Sequence, residues 1–146
     1  MAPATSNRAA GAAILPGFAD APVDSQIVFR TLLEALAHPG RVYELDTRCG
    51  VPADLSPAMT AALLTLVDVD APLWLPVGAV ADAGRFLRFH CSSRIMQEPG
   101  LATFVAVPAG HDMLAFVQCR QGDPAYPDRS ATLIIEVQSL ENGAPL

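Results

Sequence analysis

Hydrophobic and polar positions alternate along this chain between two rhythms, one helical and one extended, and the alternation predicts the order of elements. Val28, Phe29, Leu32, Ala35 and Leu36 form an apolar stripe at helical spacing, while Gln26, Arg30 and Glu34 fall on the other side. Asp24 is the expected N-cap of that helix, and His38-Pro39-Gly40 closes it, because a residue before proline avoids the helical region and glycine supplies the turn. "RVYEL" (41–45) then predicts a strand. Ser56 and Pro57 suit the N-cap and first position of a second helix over "AMTAALLTLVDV". "APLWLP", short and bounded by prolines, predicts a strand buried on both faces.

Further on, "AVADAGRFLRFH" carries Val80, Phe86, Leu87 and Phe89 near helical spacing and predicts a helix. "ATFVAV" predicts a strand, and "DMLAFVQC" a short helix capped by Asp112. Ser130 to Leu140 predicts the last strand, with Leu133, Ile135 and Val137 at every second position, and Asn142-Gly143 after it favours a tight turn into a returning strand. Strands separated by helices imply crossovers, so the expected architecture is α/β, with a mixed, largely parallel sheet and helices on both faces. Residues 1–16 are expected to form a flexible arm and residues 17–146 a single domain.

Composition narrows the function classes. The chain has 146 residues, of which 51% are hydrophobic, enough for one sizeable core. Its formal net charge of -6 argues against a non-specific nucleic-acid binder. All nine basic residues are Arg. With no lysine, a Schiff-base mechanism or a P-loop lysine has no residue on this chain to carry it. Cys49, Cys91 and Cys119 lie far apart and signal neither a disulfide framework nor a zinc site, which fits a reducing cytoplasm. Arg8, "AAGAAIL" and Ala19-Asp20-Ala21 imitate a signal peptide poorly, since the apolar run is mostly alanine and Pro16-Gly17 cuts it off. No run approaches the roughly 18 apolar residues of a membrane span.

The candidate chemistry is thin. Asp68 and Asp70 could form a metal or base pair, but a turn before Pro72 explains them better as capping carboxylates. Arg85, Arg88 and His90, with Arg94 beyond, make the densest basic cluster and could hold an anion through charge-assisted bonds, or simply edge an amphipathic helix. His38 and His111 sit at turns, where solvation is the usual role. Cys91, Ser92 and Ser93 adjoin His90, yet sequence neighbours rarely point at one another. Tyr126 and Arg129 lie in a loop entering the last strand, where Arg129 could reach a ligand or partner or pair with Asp128.

Four segments, "GFADAPVDSQIVFRTLLEALAHPGRV", "LLTLVDVDAPLWLP", "LRFHCSS" and "YPDRSATLIIEV", resemble in order and spacing the PhnH subunit family of the bacterial carbon-phosphorus lyase system, from about Gly17 onward. His38 stands where that family more usually has Arg before Pro-Gly. The resemblance implies an α/β sandwich similar to the pyridoxal-phosphate transferases but without their cofactor lysine. It implies an accessory subunit in organic phosphonate catabolism, acting with PhnG, PhnI and PhnJ where a phosphonate displaces adenine from ATP to give a ribose 1-phosphonate 5-triphosphate. A cytoplasmic homodimer, no cofactor or metal, and no catalysis by this chain alone are expected with it. Family members continue past the turn that "NG" predicts, so the domain is expected to be C-terminally incomplete. The competing expectation is a stand-alone phosphonate- or phosphate-binding protein, or small enzyme, using Arg85, Arg88, His90 and Arg129.

Overall fold

The computed structural model describes residues 13–45 and 48–140. The expected turn at Asn142-Gly143 and the first twelve residues of the expected arm lie outside them.

Helix α1, Ala21–Ala37, starts four residues earlier than Asp24 predicts. Asp20 is the N-cap, with its carboxylate accepting from Val23 N, and Pro22 fits the first turn, where no intrahelical donor is required. Asp24 instead accepts from Asp20 N at 3.0 Å, closing a reciprocal cap. The helix ends at His38, followed by Gly40 at φ +87°. Helix α2, Pro57–Leu66, begins as expected, with Ser56 Oγ accepting from Met59 N.

Strand β1, Leu73–Trp74, leads into a continuous helical stretch made of α3, Val77–Ala79, a π-helical turn, Val80–Gly84, and α4, Arg85–Cys91. Strands β2, Ile95–Met96, β3, Phe104–Val107, and β4, Thr132–Ile135, complete a sheet of order β2-β1-β3-β4 in which every pair is parallel.

The two faces of that sheet are covered differently. On one, Leu73, Leu75, Phe104, Ala106 and Ile134 pack against Met59, Leu63, Ala79, Ala83, Phe86 and Leu87 of the helices. On the other, Trp74, Met96, Val105, Val107 and Leu133 meet Ala102, Leu114, Cys119 and Ala131, all from connecting segments. The expectation of helices on both faces is therefore corrected. The cause is local: the links β2–β3 and β3–β4 contain only 3-10 turns, at Pro99–Leu101, Phe116–Gln118 and Pro127–Arg129. The predicted helix over "DMLAFVQC" reduces to one of these turns, since so short a segment cannot offset the cost of nucleating an α-helix. "RVYEL" is likewise no strand. Residues 41–45 have β-forming side chains but no ladder partner among the described residues, and Leu45 instead lines an apolar groove with Leu32, Met59, Ile135 and Val137.

α1 packs chiefly on α2, outside the layer that touches the sheet. Of its predicted stripe, Val28 is buried, whereas Phe29 and Leu36 are exposed, as are Ile27 and Leu33.

Glu136, just past β4, ties the layers together. Its two carboxylate oxygens accept from Ser56 N at 2.7 Å and Ala109 N at 2.9 Å, joining the last strand to the start of α2 and to the loop after β3.

Candidate functional site

The basic residues singled out in the sequence do not converge. Arg85 and Arg88 are exposed on α4, and Arg94 is exposed beyond it. His90 lies five residues from Arg85, about 140° around the helix. Its ring packs against Phe86 and Phe89, and its Nε2 donates to Leu15 O at 2.8 Å. Arg129 stands elsewhere, its guanidinium 4.0 Å over the Tyr126 ring, so its loop is steadied by a cation-π contact and not by Asp128.

Other candidates serve the backbone. Asp68 Oδ1 accepts from Asp70 N at 2.8 Å and Ala71 N at 2.7 Å, the capping role favoured for this turn. His38 Nδ1 lies 3.1 Å from Glu34 O and 3.4 Å from the Glu34 carboxylate. His111 lies over Gly78, where a Cβ would come within 2.9 Å of its ring.

His90 and Cys91 do not form a nucleophile-base pair. His90 is bound to Leu15, while Cys91 Sγ faces Leu64 O at 3.7 Å. Burial, with a smaller contribution from the charge of Asp68, pushes the Cys91 thiol up from 9.0 to about 11. At neutral pH it is a thiol, not a thiolate. Unfolding returns it to its ordinary value, so between pH 9 and 11 the unfolded chain releases a proton that the folded chain keeps. Stability is therefore expected to fall as pH rises through that window and to be unaffected by this group below it. Urea midpoints at pH 8, 9.5 and 11 check this: Cys91→Ala should flatten the alkaline slope, and an unchanged slope would refute the assignment.

What α4 does bring together is a cleft that the sequence did not point to. Residues Ala13–Gly17, the described end of the expected arm with the first residue of the expected domain, lie as a strap across the body. Leu15 O is held by His90, and Pro16 O accepts from Gly50 N at 2.8 Å. Both contacts require close approach. A Cβ on Gly17 would sit 2.8 Å from His90 Nδ1, and one on Gly50 would sit 2.6 Å from Leu15 Cβ. Between this strap and the π-helical turn is a cleft of about 310 Å³ lined by Ile14, Leu15, Val51, Ala53, Asp82 and Arg85, among others. Asp82 and Arg85 face each other there, Oδ1 to Nη2 3.6 Å, with each side chain a little under half exposed. Asp82 Oδ2 also accepts from Ala53 N at 3.3 Å. The Asp-x-x-Arg spacing was the one sequence signal for this pair, and it is too common to distinguish a site from a helix surface pair. Among the described residues no three His, Cys, Asp or Glu side chains are grouped to hold a metal.

A family model described as bacterial phosphonate metabolism protein (PhnH) matches residues 16–146. The alpha-D-ribose 1-methylphosphonate 5-triphosphate synthase subunit PhnH of Rhizobium meliloti (strain 1021) is 38% identical over 130 residues, which are 88% of this chain and 65% of that protein.

Proposed function

Because the chain belongs to the PhnH family of bacterial phosphonate metabolism proteins, we propose that it acts as an accessory subunit in organic phosphonate catabolism. In this reading it supports formation of ribose 1-phosphonate 5-triphosphate from phosphonate and ATP, beside PhnG, PhnI and PhnJ in the cytoplasm, and is not catalytic alone. The observation that carries the reading is the family match through every strand of the sheet and all of α1 to α4. The relative's own name describes that protein as a synthase subunit.

Two features of the surface support a subunit over a self-contained enzyme. Ile27, Phe29, Leu33 and Leu36 leave much of α1 apolar and exposed, as expected of a face that meets another protein. Arg88 and the 65% exposed Phe89 share the outer side of α4, and arginine and aromatic residues are the types enriched at interface centres. The stand-alone phosphonate-binding alternative needs Arg85, Arg88 and His90 to act on one anion, and His90 and Arg88 point about 160° apart around the helix.

Co-expression with tagged PhnG, PhnI and PhnJ, followed by size-exclusion chromatography, tests the proposal. The chain should co-elute with the tagged partners, and the double substitution Phe29→Ser, Leu36→Ser should release it while leaving its melting temperature within a few degrees of the parent. A chain that elutes alone while the three partners assemble would overturn the accessory role.

A further inference from the structure

We infer that the cleft between the Ala13–Gly17 strap and the π-helical turn is a binding site for a neutral, planar ligand bearing a hydrogen-bond donor and acceptor on adjacent atoms, such as a nucleobase or carboxamide edge. This goes beyond the subunit role and does not depend on it. Its volume of about 310 Å³ is at the small end of the roughly 300–1,000 Å³ usual for ligand sites, which suits a single ring system.

Polar chemistry enters the cleft from Asp82 and Arg85. Their 3.6 Å separation makes an ion pair but is too long for a hydrogen bond. The Arg85 guanidinium therefore keeps its donors, since no hydrogen bond to it is formed among the described residues, and Asp82 keeps lone pairs beyond the one taken by Ala53 N. A donor array and an acceptor array side by side match a ligand edge that offers the reverse order: its N–H to Asp82, its ring nitrogen or carbonyl to Arg85. Ile14, Leu15 and Val51 supply apolar walls for the body of such a ring.

Charge decides against an anion. Asp82 stands within 4 Å of Arg85, the only guanidinium among the described residues that line the cleft, so the pair is neutral, and the protein around it carries a net charge of -6. A phosphate or phosphonate placed on Arg85 would meet the Asp82 carboxylate and a repelling background field. A neutral ligand meets neither.

Two other observations bear on the same place. The π-helical turn, Val80–Gly84, carries Asp82, and such turns, which insert a residue and change the direction of the side chains, are frequent at functional sites. The strap that forms the opposite wall is fixed at Leu15 and Pro16 by two hydrogen bonds and two glycine approaches, so the cleft is a built shape and not a gap between loose segments.

Ligand-observed NMR titration of the whole chain with adenine and with nicotinamide, each beside inorganic phosphate, tests this. Adenine stands for the nucleobase source of the edge and nicotinamide for the carboxamide source. Saturable binding of either heterocycle, without binding of phosphate, is expected. Arg85→Met and Asp82→Ala should each weaken it at least tenfold. Because Asp82→Ala could disturb the helix, Ala53→Phe, at an exposed wall position, provides a second arm: it should block binding while the melting temperature stays within a few degrees. Phosphate binding in preference to both heterocycles, equal binding by the variants and the parent, or no binding of either heterocycle at millimolar concentration would each overturn the inference.

Discussion

Leu87→Ala should destabilise the protein by about 3–5 kcal/mol, whereas Arg88→Ala, one residue on, should change stability by no more than about 0.5 kcal/mol. Leu87 is 0% exposed and sits in the cluster that joins α2, α4 and the sheet, touching the environment of Leu63, Leu73 and Ala106. Truncation removes transfer energy and leaves a cavity that the surrounding elements cannot close, since Leu73 is fixed by ladder pairing on both sides and Leu63 by its helix. Arg88 is exposed, and its guanidinium makes no hydrogen bond or ion pair among the described residues; only its backbone carbonyl is engaged, accepting from Ser92 N at the end of α4. Urea unfolding gives both values. For a domain of this length the leucine loss corresponds to a melting temperature lower by roughly 8–15 °C. A cost below about 1 kcal/mol for Leu87→Ala would show that α4 does not seat on the sheet through this side chain.

The second large effect is expected at Glu136. Glu136→Ala should cost about 2–4 kcal/mol, because two backbone N–H groups lose one charged acceptor at a stroke. The value is set below twice the usual charge-assisted bond because the carboxylate is only partly buried and water can replace part of what is lost. Ser56 N is the more affected donor, being part-buried at the start of α2 and 2.7 Å from its acceptor. Glu136→Gln separates the two bonds, since an amide has one accepting oxygen and its nitrogen can only donate. It should lose about half as much as alanine. Equal losses for the two variants would mean that the bonds act through charge and not through geometry.

These expectations differ in how far the sequence alone supports them. The start of α2 was readable because Ser56 and Pro57 act on their own neighbours, and a cap is a local event. The cores of β1, β3 and β4 were readable because each is an apolar run bounded by turn residues. The same pattern misled at residues 41–45, where a strand needs a partner that no local signal provides, and at "DMLAFVQC", where side-chain spacing suggested a helix too short to nucleate. The start of α1 lies four residues before the one Asp24 predicts, because Asp20 and Asp24 are both good caps and the sequence does not show that Asp20 takes Val23 N while Asp24 takes Asp20 N. At the candidate site, the Arg85, Arg88 and His90 cluster is visible in the sequence because its members are close along the chain, but helical geometry turns His90 about 140° from Arg85 and about 160° from Arg88. The glycines at 17 and 50 gave no hint of the segments that approach them, because both approaches join parts of the chain far apart in sequence.

The bond between Ser56 and Glu136 spans 80 positions of sequence. On a ribosome adding about 5–20 residues per second, α2 therefore emerges several seconds before the acceptor at its first turn has been made. The parallel pairing of β3 with β4 must also wait for Thr132–Ile135, while Phe104–Val107 is already outside. Nearly all the helical layer is thus synthesised against a sheet that still lacks one edge, and contacts this distant in sequence are slow to form even when the whole chain is present. The nascent protein passes through an interval in which Leu133 and Ile134 have yet to cover the two faces beside β3. During that interval the exposed edge of β3 is open to pairing with other chains, and the arrival of β4 and Glu136 covers that edge and completes the start of α2 together.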